Sequence, residues 1–386
     1  TLFYLLTVLF YIRFRTKEPP IKWWFYGLAL LSSTFAMLSK EIAFTLPVVL
    51  VLMEYVFFKD RRNFNWWMVL PFFLTALLVP LQHISFSSEG ILRATEVRAQ
   101  WFTWPRDVYF YTEMSVLLKY WALIFWPSGL RFYYGWPEER SPLSPTVIGP
   151  ALFHLVLISL SIWAIYIIKK RSFQKEWAIV PFSILWFYIA LSVESSFIPI
   201  PDFIFEHRLY LPLAGVSMGL GLLLTKASRI KRLKYPVWAL VMVVLVIMGW
   251  KTYERNTLWA NDIAFWKDNI KKEFDHVAPY FQLGIAYQQR GMHREAIETF
   301  NIAAQLRPDY YAIYELLGVS YERMNFLYDA VKQYEKALSL EQKKAIIWAY
   351  YARALRKLGR TLDAVQACRR ALILSPVDPE IRMICR

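Results

Sequence analysis

The segment VAPYFQLGIAYQQRGMHREAIETFNIAAQLRP, residues 277–308, decides how the last third of the chain folds. With Val277 as position 1, Tyr280, Leu283, Gly284, Tyr287, Gly291, Ala296, Phe300, Ala303 and Pro308 stand at positions 4, 7, 8, 11, 15, 20, 24, 27 and 32. A count restarted 34 residues on, at Tyr311, puts Tyr314, Leu317, Gly318, Tyr321, Asn325, Ala330, Tyr334, Ala337 and Gln342 at the same positions. A third count, from Ala345, gives Trp348, Tyr351, Ala352, Leu355, Gly359, Ala364, Cys368, Ala371 and Pro376. Small residues at positions 8 and 20 allow two helices to approach closely. Aromatic residues at 4, 11 and 24 fill the space between them, and proline at 32 ends the second helix. The period predicts helix pairs over 277–310, 311–344 and 345–378, with a partial fourth from Pro379.

This pattern resembles the tetratricopeptide repeat (TPR), an α-solenoid with a concave surface suited to an extended polypeptide. The first-helix positions 2, 5, 9, 12 and 13 line that surface. They place Gln288, Gln289, Glu322, Arg323, Arg353, Arg356 and Lys357 there. These side chains read equally as peptide-backbone partners or as an ordinary solvated face. From Val277 onward 16 basic residues are mixed with 11 acidic ones, which argues against a nucleic-acid surface.

Upstream the character is different. Over the whole 386 residues, 57% are hydrophobic, 18% aromatic and only 19% charged. That excludes disorder and a chain made only of ordinary soluble domains. Apolar stretches of roughly 15 to 20 residues, the length of a membrane span, fall near 1–12, 23–39, 42–58, 66–84, 147–168, 177–193, 209–224 and 236–250. Thr1–Tyr11 is already apolar and reads as a cut through a span, with more chain expected upstream. The sequence predicts an all-α protein: a multi-span membrane domain over 1–250, a linker over 251–276 and repeats over 277–386.

The net charge of +15 is read by position. Loops 13–22, 59–62, 169–176 and 225–235 hold 16 Lys/Arg in 33 positions, against 7 in 59 for loops 40–41, 85–107, 128–146 and 194–208. The first set is therefore predicted to be cytoplasmic and the second external. The alternation requires 107–127, which carries Glu113 and Lys119, to lie in the interface without crossing. The repeats then stand outside the cytoplasm, on a bacterial cell membrane or in the lumen of the endoplasmic reticulum.

Three polar groupings fall at outward span ends: Ser39-Lys40-Glu41, the Pro127–Tyr134 stretch containing Arg131, and Glu206-His207-Arg208-Leu209-Tyr210. Ionisable groups at a span end pair or face a cavity. Lys40 and Arg208 suit a phosphate, Arg208 in a bidentate manner. Glu41 and Glu206 suit a base or an orienting partner. Interfacial salt bridges account for the same residues without any ligand. Gly215-Val-Ser-Met-Gly219 matches an esterase motif only by letter and reads as a small-residue packing face. His154, inside a span, reads as a buried, hydrogen-bonded histidine. The five histidines show no metal-ligand spacing, and Cys368 and Cys385 form no metal or redox motif.

The combination of multi-span helices, Arg255-Asn256-Thr-Leu-Trp259, Trp266-Lys-Asp268 and the repeats resembles the transmembrane and TPR O-mannosyltransferase family and its prokaryotic relatives. Ser39-Lys40-Glu41, Pro127-Ser-Gly-Leu130 with Tyr133-Tyr134, and Glu206-His-Arg208-Leu-Tyr210-Leu-Pro212 look like that family's membrane motifs. The resemblance implies a GT-C fold and transfer of a sugar from a polyprenyl-phosphate donor to a Ser/Thr hydroxyl. Lys40, Glu41, Arg131, Glu206, His207, Arg208 and Tyr210 would then surround the donor phosphate. The catalytic acidic loop of that class has no counterpart here and is expected upstream; no residue indicates a divalent metal. The competing reading is a membrane-anchored TPR scaffold without catalysis.

Overall fold

The computed structural model describes residues 1–58, 66–85, 104–171, 174–196, 199–200 and 202–386. The described residues contain helices and turns but no strand. The basic loop 59–62 and most of loop 85–107 lie outside them. The chain divides into two compact units, one formed by Thr1–Leu130 and Trp136–Leu245, the other by Arg131–Gly135 and Val246–Arg386.

The first unit holds α1 (Leu2–Thr16), α2 (Ile21–Ser39), α3 (Leu46–Met53), α4 (Trp66–Ala76), α5 (Leu78–Ser85), α6 (Arg106–Phe125), α7 (Pro145–Lys170), α8 (Ile179–Leu191) and α9 (Tyr210–Ser228); α10 (Lys234–Trp259) begins in it. Among the described residues, four helical stretches are long and apolar enough to cross a membrane: Glu41–Phe58, Pro145–Lys170, Glu206–Ser228 and Lys234–Trp259. Helices α1, α2, α4–α5 and α8 occupy the other expected span positions and are shorter or less apolar. No side chain of α10 is buried in the protein, and Leu240, Val243 and Leu245 are exposed. An apolar surface on every side suits a helix whose solvent is lipid.

Close packing in this unit follows from small residues. A Cβ on Gly215 would lie 2.3 Å from Trp186 Cδ1, and one on Gly219 would lie 2.9 Å from Ser183 Oγ. Both glycines therefore let α9 approach α8, as the packing-face reading expects. Trp186, fully buried, donates its Nε1–H to the Leu211 carbonyl at 2.9 Å. Glu54 is buried and faces α1, where Tyr11 donates to it at 2.9 Å and Arg15 pairs with it at 2.8 Å. His154 of α7 sits in a satisfied chain. Trp121 Nε1–H donates to Tyr188 Oη at 3.2 Å, Tyr188 lies 2.9 Å from His154 Nδ1, and His154 Nε2 lies 3.0 Å from the Met114 carbonyl. A carbonyl can only accept, so Nε2 carries the proton and Nδ1 accepts from Tyr188. Three helices are thereby joined through one imidazole.

The second unit carries α11 (Asp262–Lys272), α12 (Val277–Gln289), α13 (His293–Leu306), α14 (Tyr311–Arg323), α15 (Leu327–Leu340), α16 (Ala345–Lys357), α17 (Thr361–Leu374) and α18 (Pro379–Ile384). The stretch 251–276 contains the end of α10 and α11, which packs on α12. The segment Arg131–Gly135 also belongs to this unit. Phe132 lies among Trp259, Phe265 and Trp266, and its N–H donates to Asn269 Oδ1 at 2.7 Å.

The repeat helices keep the 34-residue register predicted for them. At position 15, Gly291, Asn325 and Gly359 all have positive φ (75°, 63° and 79°). That left-handed residue ends each first helix, with the following N–H donating back to Tyr287, Tyr321 and Leu355 at 2.9, 2.9 and 3.0 Å. Ala296, Ala330 and Ala364 at position 20 are buried at the helix crossings. A Cβ on Gly284 would come 2.4 Å from Phe300, and one on Gly318 would come 2.5 Å from Tyr334. Position 8 is thus glycine where position 24 is aromatic. In the third repeat, Cys368 at position 24 leaves room for Ala352 at position 8.

Candidate functional site

In the first unit, a polar cluster gathers at the ends of α2, α6, α8 and α9. The turn Glu206–Leu209 buries Arg208 immediately before α9. Its Nη1 and Nη2 each donate at 2.9 Å, to the Phe203 and Asp202 carbonyls, and its Nε lies 3.9 Å from Glu194 Oε2. Its guanidinium also covers the Phe205 ring at 5.1 Å. Glu194 follows α8 and pairs through Oε1 with Lys40 Nζ at 2.9 Å. Tyr109 of α6 donates to the Glu194 carbonyl at 2.6 Å, and Glu113, one turn on, is fully buried. Both Glu113 oxygens, Glu194 Oε2 and Ser195 Oγ are buried and meet no hydrogen bond of ordinary geometry among the described residues.

The structure therefore joins Lys40 and Arg208, two of the sequence candidates, through Glu194. Glu41 begins the turn Glu41–Thr45 next to Lys40, and Glu206 begins the turn that holds Arg208. His207 and Tyr210 are exposed, Tyr210 by 69%. Arg131 lies in the other unit, where it pairs with Glu273, donates to the Lys272 carbonyl at 2.7 Å and covers Tyr134. Sequence reasoning did not single out Glu194, and it took Glu113 only as a reason to place α6 at the interface. Glu194 met the rule that selected Lys40, an ionisable residue at a span end.

Three groove candidates of the repeats, Glu322, Arg353 and Lys357, are joined to one another. Gln288 donates to the Leu316 carbonyl and to Ser320, at 2.8 and 2.7 Å. Glu322 accepts from Arg353 Nε and Nη2 at 2.8 and 2.9 Å, from Lys357 at 2.8 Å and from Tyr334 at 3.1 Å. Burial alone would push the Glu322 carboxyl up; the Arg353 and Lys357 bonds outweigh it and hold the group below its ordinary range. Arg356 reaches the Ile384 carbonyl at 3.3 Å. Gln289 and Arg323 are exposed. Glu315, at position 5, was not among the candidates. Burial pushes it up to about 7, with Lys344 opposing and Glu380 reinforcing the shift.

Comparison with known proteins supports the period. Two family models described as "Tetratricopeptide repeat" match residues 277–310 and 320–379. The C-terminal region is a tetratricopeptide-repeat array. Similar solved structures include MamA (41-end) from Desulfovibrio magneticus RS-1, 18% identical over 32% of this chain and 70% of that one, TM-score 0.31. They also include the Arabidopsis OM64 TPR domain, 17% identical over 28% and 90%, TM-score 0.28. A third is YrrB, titled a TPR protein with an unusual peptide-binding site, 16% identical over 34% and 70%, TM-score 0.30. No curated protein matches the chain. None of these matches supports the glycosyltransferase resemblance of the membrane motifs.

Proposed function

We propose that this chain is a membrane-embedded protein that engages a polypeptide through its TPR array. The observation that carries this reading is the unbroken 34-residue register of three repeats, which lines up first-helix positions along one surface. Gln289, Arg323, Arg356 and Lys357 are exposed polar groups on that surface. Gln288, Glu322 and Arg353 brace it. The split of basic residues between loops supports an extracytoplasmic array. A photoreactive residue placed at 289 or 323 is expected to crosslink a polypeptide. One at Val365, exposed on the second helix of the third repeat, is expected not to. Equal yields at all three positions would overturn the reading.

One observation favours a finer reading, sugar transfer from a polyprenyl-phosphate donor to a protein Ser/Thr hydroxyl. Lys40 is exposed beside a buried group of Glu113, Glu194 and Arg208, more polar machinery than an anchor needs. Lys40 would meet the departing phosphate, which a nearby cation stabilises. Glu194 and Arg208 would hold Lys40 in place. Membranes containing the protein and a labelled lipid-linked sugar provide the test. Transfer that Lys40→Ala abolishes supports the enzyme; absence of any transfer leaves the scaffold.

A further inference from the structure

Cys368 and Cys385 form a disulfide, with their Cα atoms 5.4 Å apart and a sequence separation of 17. Their places in the repeat register explain the pairing. Cys368 is position 24 of the third repeat. Counting from Pro379, Cys385 is position 7 of the next. Position 24 and the following position 7 share a core elsewhere in the array: Phe300 with Leu317, and Tyr334 with Tyr351. Those contacts are made by bulk. At the third junction both bulky residues are replaced by small ones, and a covalent bond makes the contact instead. The compensation extends to position 8, where the glycine that an aromatic at position 24 requires becomes Ala352.

We propose that the Cys368–Cys385 disulfide is a covalent lock that fixes α18 onto the third repeat, and that the array works in an oxidising compartment. The length of α18 makes a lock useful. It has only six residues, too short to hold a helix by itself. Its apolar contacts are few: Ile381 and Ile384 join a small cluster with Ala349 and Ala371, flanked by Ile346, Trp348, Tyr350 and Leu372. The bond forms by thiol–disulfide exchange with a disulfide-carrying oxidoreductase. One thiolate attacks the carrier's disulfide and releases one carrier thiolate. The other cysteine thiolate then attacks the mixed disulfide. The carrier leaves as a dithiol that holds the two electrons and, by way of solvent, both thiol protons. Arg356 Nη2 lies 3.8 Å from Cys368 Sγ, a positive charge suited to the attacking thiolate. Reducing compartments do not sustain such bonds, so the lock gives evidence on sidedness independent of the basic loops.

The test uses the whole chain in its own membranes, acid-quenched, then denatured and treated with maleimide-linked polyethylene glycol. No addition is expected before reduction and two additions after it. One or two additions without reduction would overturn the compartment. Hydrogen exchange over 381–384 then tests the lock. Cys368→Ser, Cys385→Ser and reduction of the wild type are each expected to speed exchange there by about tenfold or more, while 311–323 is unchanged. Exchange at the oxidised wild-type rate in all three samples would show that the bond holds nothing. The wild-type measurement needs no variant to fold.

Discussion

Arg353 of the third repeat grips Glu322 of the second in a two-pronged ion pair, Nε to Oε1 at 2.8 Å and Nη2 to Oε2 at 2.9 Å. Glu322 is buried, and Lys357 and Tyr334 complete its shell. The pair couples neighbouring repeats, whose stability is a sum of repeat and junction terms. Glu322→Gln is expected to weaken this junction by about 1–3 kcal/mol, because hydrogen bonds to a charged partner are the strong ones. The folded pKa lies below the unfolded value, so this stabilisation is present above the ordinary glutamate range and lost as pH falls through the folded pKa. Thermal melts from pH 7 down to pH 3 check it. A parallel loss of Tm in wild type and Glu322→Gln would remove Glu322 from the acid response.

Glu315 has the opposite sign. Its folded pKa of about 7 lies above the ordinary glutamate value of 4.5. The folded state then binds the proton more tightly, and its stability falls as pH rises from about 4.5 to about 7. Glu315→Gln is expected to raise Tm at pH 8 and to leave it unchanged at pH 4. The gain is on the order of 1 kcal/mol after allowance for residual solvent. Equal Tm values for both proteins at pH 8 would show that burial does not tax this carboxylate.

The pairing of positions 8 and 24 predicts a non-additive double mutant. Gly318→Ala places a methyl 2.5 Å from the Tyr334 ring carbon, an overpacking that costs about 1–3 kcal/mol. In a Tyr334→Cys background, which reproduces the third repeat's Ala352 with Cys368, the same alanine is expected to cost little. Denaturant midpoints of the four proteins in the cycle give the coupling directly. Additive effects would show that the two positions do not share space.

The repeats were legible because a 34-residue period writes the same contact many times, and each glycine has its aromatic at a fixed distance. Four helical stretches long and apolar enough to cross a membrane were legible from apolar length. The register set the groove side chains along one surface but did not link them as partners. Position 12 of one repeat meets positions 9 and 13 of the next, so Glu322, Arg353 and Lys357 bind one another across a junction. The polar cluster was harder still. It draws Lys40, Tyr109 with Glu113, Glu194 and Arg208 from four separate places in the chain, and no spacing in the sequence links the four. The cysteine pair escaped notice because it follows the repeat register and no short motif.

The Tyr188 hydroxyl joins α6 to α7 by accepting from Trp121 and donating to His154. Tyr188→Phe is expected to strand the Trp121 N–H and the His154 Nδ1 in apolar surroundings, at a cost of about 1–3 kcal/mol. Detergent-solubilised protein should show the loss as a lower thermal midpoint. An unchanged midpoint would mean that the hydroxyl is not the link.

The two cations tied to Glu194 are expected to respond differently to removal. Arg208 is buried and holds the Asp202 and Phe203 carbonyls, so Arg208→Ala leaves two carbonyls without their donor and the Glu194 carboxylate without a neighbouring positive charge. Removing one partner of such a buried set costs about 3–5 kcal/mol, and reduced yield of folded protein is expected. Arg208→Lys restores the charge but not the planar fork and is expected to recover only part of the yield. Lys40 has an exposed side chain and one partner, so Lys40→Ala is expected to change the thermal midpoint by less than about 1 kcal/mol equivalent. A loss of lipid-phosphate binding in Lys40→Ala at normal yield would therefore report on a ligand and not on folding. Titration of the purified protein with a short-chain polyprenyl phosphate, followed by tryptophan fluorescence, makes the measurement. If Lys40→Ala binds as the wild type does, the Lys40–Glu194–Arg208 group is structural, and the scaffold reading stands alone.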